Sequence, residues 1–136
     1  MNSTTPRTML AVLALAIQPT AAQTQSQSIR LQCDWSSTLN LATMQTSPTS
    51  GSKLITVDSL QGRTGRLKKE GLGAEFAANV TDEAIEGETA YQIGNLAYRE
   101  RITINLYSGK ILNFIKIGNG EMVHYGACKQ LPERFF

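Results

Sequence analysis

Residues 99–129 read RERITINLYSGKILNFIKIGNGEMVHYGACK. Three apolar segments, at 102–106, 111–117 and 122–125, are separated by Ser108-Gly109 and by Gly118-Asn119-Gly120. Glycine in so short a connection supplies the positive φ that hairpin turns require. The pattern predicts a three-stranded β-meander that ends on Cys128. On its first strand Ile102, Ile104 and Leu106 share one face, and Arg101, Thr103, Asn105 and Tyr107 share the other. Its second strand is apolar on both faces, with Ile111, Ile115 and Ile117 against Leu112 and Phe114, which marks a central or doubly covered strand. Its third strand sets Met122, His124, Gly126 and Cys128 on one face, with Val123 and Tyr125 opposite.

Upstream, residues 28–35 (SIRLQCDW) alternate with period two: Ile29, Leu31, Cys33 and Trp35 on one face, Arg30, Gln32 and Asp34 on the other. Residues 36–52 are rich in Ser, Thr and Pro and read as a loop that holds one short strand near Leu39 and Leu41. Residues 53–58 (KLITVD) form a β-branched strand. Residues 73–81 (GAEFAANVT) alternate again, and 90–98 (AYQIGNLAY) give a further strand broken near Gly94-Asn95. The expected fold is therefore all-β, a small antiparallel β-barrel or sandwich of six to eight strands with a C-terminal β-meander.

The chain has 136 residues, enough for one domain. Residues 1–22 have the layout of a secretory signal peptide: a polar segment carrying Arg7, the apolar run MLAVLALAI, and Pro19-Thr20-Ala21-Ala22 with small residues at the cut. The apolar run is too short for a stable membrane anchor. Residues 23–28 follow as a polar leader, 29–130 as the single β-domain and 131–136 as a tail. The expected location is the periplasm or the extracellular space.

Cys33 and Cys128 are the only cysteines. In an exported chain an even count points to a disulfide, and two cysteines allow one pairing. Such a bridge would tie the first strand to the last, which favours a closed barrel because pairing the ends removes exposed edges.

Few residues carry chemistry. The net charge of +2 sets up no general pull toward nucleic acid or membrane. His124, the single histidine, lies four strand residues from Cys128, about 13 Å and too far for a Cys–His dyad. No G-x-S-x-G elbow supplies a serine nucleophile. Asp82, Glu83, Glu86 and Glu88 lack the spacing of a calcium loop. No cofactor motif occurs. One local charge cluster remains, QGRTGRLKKEGLG, with Arg63, Arg66, Lys68 and Lys69 among glycines. It fits neither phosphate-binding fingerprint, and reads as an exposed hairpin that could offer a site to an anionic ligand or a protein partner. Tyr91, Tyr98, Tyr107, Tyr125 and Trp35 either line a ligand face or fill the core.

The layout of signal peptide, LQCDW, polar β-rich middle, RITINLYSGKILNF hairpin and closing Tyr-Gly-Ala-Cys resembles small exported bacterial proteins of uncharacterised families. It is more distantly similar to periplasmic β-barrels of the lysozyme-inhibitor type. The Ser-Gly-Ala-Lys-Tyr loop of the membrane-bound inhibitors is absent, so the resemblance implies a barrel layout and transfers neither residues nor activity. The functional expectation is a non-enzymatic binding or interaction protein, with a carrier of a small apolar ligand or a hydrolase as the alternatives.

Overall fold

The computed structural model describes residues 28–132. The expected signal peptide, most of the leader and residues 133–136 lie outside them. Nine strands follow in order: β1 (Ile29–Asn40), β2 (Gln45–Pro48), β3 (Ser52–Gln61), β4 (Thr64–Lys69), β5 (Glu75–Val80), β6 (Ala84–Ile93), β7 (Leu96–Asn105), β8 (Lys110–Ile117) and β9 (Gly120–Gln130). Each barrel strand pairs antiparallel with its neighbour, and β1 also pairs with β9. That last pairing closes eight strands into a barrel; β2 extends the wall above β3, pairing with residues 37–40 of β1 on the edge opposite β9. The fold is the expected small antiparallel barrel, and the meander is β7–β8–β9.

The seam between β1 and β9 runs from Leu31 opposite Gln130 to Asn40 opposite Met122. Cys33 faces Cys128 directly and the two are disulfide-bonded. The seam carries one irregularity, a bulge between Trp35 and Ser37. An extra residue there keeps both Trp35 and Thr38 on the inner face, because it resets the two-residue alternation. It also draws the strands together: a Cβ on Gly126 would stand 2.4 Å from the Asp34 carbonyl oxygen, so only glycine fits. The bulge explains why residues 36–40 read as loop. Their alternation is broken once, at Ser36, and β1 continues past it.

The β7–β8 connection is longer than the Ser108-Gly109 signal suggests. β7 stops at Asn105, whose side-chain oxygen accepts from the Tyr107 and Ser108 amides at 2.8 and 2.9 Å. This local capture of backbone donors ends the ladder two residues early. Leu106 and Tyr107 therefore stand in the turn, exposed. Gly109 closes the turn with φ 78° and abuts the Cys128 carbonyl, where a Cβ would come to 2.6 Å.

The β3–β4, β5–β6 and β7–β8 turns define a lower end, where β1 begins and β9 finishes. The β1–β2, β6–β7 and β8–β9 turns define an upper end. Inward side chains of the lower half form the core: Leu31, Ile55, Val57, Leu67, Phe76, Ile85, Ile102, Ile104 and Ile111 are all buried. β4 and β5 have six residues each and stop at mid-height, whereas β6 and β7 have ten and rise past them. The upper half is consequently a curved wall, open on the side where β4 and β5 end.

Candidate functional site

Following the inward alternation upward leads from aliphatic core to a polar floor and then to a half-exposed wall. On β7 the inward series is Ile104, Ile102, Glu100, Tyr98; on β8 it is Ile111, Asn113, Ile115, Ile117. On β9 His124 and Met122 follow Gly126, and on β6 Thr89 and Tyr91 follow Gly87. Lys69, at the top of β4, takes the inward position above Leu67.

Glu100 is 4% exposed and Asn113 is fully buried. A buried carboxylate needs partners for its oxygens, and here it has three. Lys69 Nζ donates to Glu100 Oε1 at 2.6 Å, Asn113 Nδ2 donates to the same oxygen at 3.1 Å, and the Tyr91 hydroxyl donates to Oε2. Lys69 Nζ also donates to Asn113 Oδ1 at 2.9 Å. Burial, followed by the hydrogen bond to Glu100 and its charge, pushes the Tyr91 hydroxyl well above the usual tyrosine range, so it stays a donor. Tyr91 stacks on Tyr98, centroids 5.0 Å apart. The four polar groups form one network that bridges the barrel from β4 to β7 and β8.

Beside it, His124 Nδ1 is 2.6 Å from the Thr38 hydroxyl, which in turn meets Thr49. Trp35 lies 5.8 Å from the imidazole. Burial first, and then the Lys69 ammonium, lower the His124 pKa; Glu100 opposes them. The ring is therefore neutral at pH 7. The unfolded chain takes up the His124 proton at a higher pH than the folded one, so stability falls as the pH drops below the unfolded value of about 6.5 and levels off below the folded value. A proton-detected titration of the ring should give a midpoint below 6.5, and His124→Gln should flatten this part of the stability profile. A midpoint above 6.5 would contradict the assignment.

The basic stretch does not converge. Strand alternation turns Arg66 and Lys68 outward and Lys69 inward. Arg66 Nη1 is 3.0 Å from Glu75 Oε1. Lys68 Nζ lies 3.4 Å from Asp58 Oδ2 and 3.6 Å from Glu75 Oε2. Arg63, at the β3–β4 turn, is 3.9 Å from Asp82. The four cations expected to act together thus stand in three places, each beside a carboxylate. Of the acidic group, Asp82 and Glu83 occupy the β5–β6 turn, while Glu86 and Glu88 lie on the exposed face of β6. Among the described residues no three His, Cys, Asp or Glu side chains gather as a metal set.

Residue type alone does not mark Glu100 and Asn113. Their signal is positional: each is the polar member of an otherwise apolar inward series, Ile104-Ile102-Glu100 and Ile111-Asn113-Ile115. On the outer wall a groove of about 750 Å³ crosses β1, β8 and β9, lined by Leu39, Leu112 and Tyr125 among others. Its polar groups, Asp34, Ser36, Thr46 and Lys110 among them, are exposed, whereas the mouth brings together a lysine, a glutamate, an asparagine, a histidine and two tyrosines that are buried or half-buried. No family model, no curated protein and no solved structure matches the chain.

Proposed function

We propose that the chain is an exported, non-enzymatic binding protein that takes its ligand in the open mouth of the barrel. One observation carries the reading: inward side chains are buried below Lys69 and half-exposed above it, because β4 and β5 end at mid-height. Barrel mouths are among the places where small-molecule sites form, with an apolar wall and a few fixed polar groups. Here the wall is Tyr91, Tyr98, Ile115 and Met122, and the floor is Asn113, Lys69 and His124. That combination suits a compact ligand with an apolar body and one polar group. The lower barrel is filled by the core, so a ligand would rest on the floor and not pass through it. The disulfide is compatible with an oxidising, exported location.

The floor groups engage one another. Glu100 is occupied by Lys69, Asn113 and Tyr91, which favours holding over chemistry. One contact supports a second reading, a hydrolase: the hydroxyl of Thr38 against the neutral His124. Among the described residues no carboxylate is hydrogen-bonded to the imidazole, the third member that usually orients such a base. An anionic ligand at Arg63, Arg66 and Lys68 is the less favoured version, since each outward cation already faces a carboxylate.

Trp35 is the only tryptophan and sits beside His124, so its emission reports on the mouth. A panel of fatty acids, aromatic acids and amines should contain compounds that change this emission saturably. Tyr98→Ala combined with Met122→Ala should weaken such binding at least about tenfold, some 1.4 kcal/mol. Leu112→Ala, in the outer groove, should leave it unchanged. Binding lost in Leu112→Ala and kept in the mouth variant would move the site to the outer wall. Turnover of ester or peptide substrates that disappears in Thr38→Ala would replace binding with hydrolysis.

A further inference from the structure

β5 pairs with β6 only between Ala77–Val80 and Ile85–Glu88. Above Glu88, β6 has β7 on one side and no strand on the other among the described residues. The β4–β5 turn does not fill the gap: the Glu70 amide bonds to the Leu54 carbonyl and the Leu72 amide to the Lys69 carbonyl. The direction of the free groups is fixed by β7. The Ala97 carbonyl accepts from the Gly118 amide across β7–β8, so Ala97 aims its polar groups away from its β6 partner Gln92. In an antiparallel ladder these orientations alternate and are shared by directly opposed residues. Gln92 and Ala90 therefore point N–H and C=O into the gap.

Open edges are usually blunted by charge, proline or brevity. The other exposed edge, β2, has four residues and ends on Pro48. The upper β6 edge, residues 89–93, reads TAYQI, with neither charge nor proline. It leads into a hairpin tip where Ile93 and Leu96 are 58% and 50% exposed. The segment is also complementary to itself. Centred on Tyr91, an antiparallel copy sets Tyr91 opposite Tyr91, Ala90 opposite Gln92, Thr89 opposite Ile93 and Glu88 opposite Gly94. No two like charges meet. The residues whose polar groups face the gap, Ala90 and Gln92, fall opposite each other, as the ladder requires.

We propose that a second copy of this chain pairs with the upper edge of β6, joining two barrels about a two-fold axis at Tyr91. The pairing adds four main-chain hydrogen bonds, two from each Ala90–Gln92 pair, and brings the exposed Ile93 tips of the two copies alongside the new ladder. An isologous edge of this kind closes after two copies. It rests on the main-chain groups of Ala90 and Gln92 and not on what the mouth holds, although the partner strand runs along the mouth's open side.

Sedimentation equilibrium of the disulfide-intact chain tests it. The wild type should reach twice the monomer mass as concentration rises. Ala90→Lys with Gln92→Lys should remain monomeric throughout, because both opposed pairs become lysine against lysine. Ala90→Glu with Gln92→Lys should regain the dimer, since each glutamate then faces a lysine in this register alone. Both positions are outward and exposed, and thermal melting of each variant verifies the fold. A monomeric wild type overturns the proposal. So does a dimer that survives the double lysine variant, or a glutamate–lysine variant that stays monomeric.

Discussion

Glu100→Ala is expected to destabilise the barrel by about 3–5 kcal/mol, the range for breaking a buried ion pair by removing one partner. Lys69 and Glu100 side chains are 13% and 2% exposed. Without the carboxylate, the ammonium keeps only Asn113 Oδ1, and the Tyr91 hydroxyl loses its acceptor. The loss is a desolvation effect and not a loss of attraction alone: a charge held away from water is left uncompensated. A second variant separates the two. Lys69→Met with Glu100→Leu removes both charges at similar volume and should recover most of the loss, because well-packed apolar replacements of buried pairs are often neutral or stabilising. Denaturant midpoints measure both. A single-variant cost below about 1 kcal/mol would mean that water reaches the pair and that the floor of the mouth is wet.

Cys33→Ala with Cys128→Ala should cost about 4–5 kcal/mol on the chain-entropy account, since the bridge spans 95 residues of sequence. For a domain of this size that corresponds to a fall in melting temperature on the order of tens of degrees. Reduction of the wild type should reproduce the shift, and the double variant should show no further response to reductant. A shift of only a few degrees would mean that the β1–β9 ladder holds the seam without its staple.

Most of the barrel was legible because its strands alternate cleanly. The meander, β3, β5 and the Cys33–Cys128 tie all follow from period two and from cysteine count. Four features were not. β6 begins at Ala84, within the acidic stretch, where only Ile85 and Gly87 mark the inner face. β1 runs five residues past Trp35 because a bulge breaks its period at Ser36, and a single break reads as a loop. Residues 90–98 hold a hairpin where one interrupted strand was expected, since Gly94-Asn95 gives the same signal for a kink and a turn. The floor of the mouth depends on Lys69 turning inward, and the alternation that sets Lys69 on the face of Leu67 is legible only once 64–69 is read as a strand and not as a solvated basic hairpin. Its partners lie 31 and 44 residues away in sequence, so the pairing exists only once the ring has closed.

The Leu131 amide bonds to the Arg30 carbonyl at 2.9 Å, so the chain joins and leaves the barrel at one pole, opposite the mouth. A tether attached before Ile29 or after Leu131 would hold the barrel from below with its mouth facing outward, whichever terminus carried it. The same adjacency makes the barrel a candidate for circular permutation. Residues 30 and 131 can be joined by a short linker and the chain reopened at the exposed β3–β4 turn near Gly62, leaving the floor and wall of the mouth untouched.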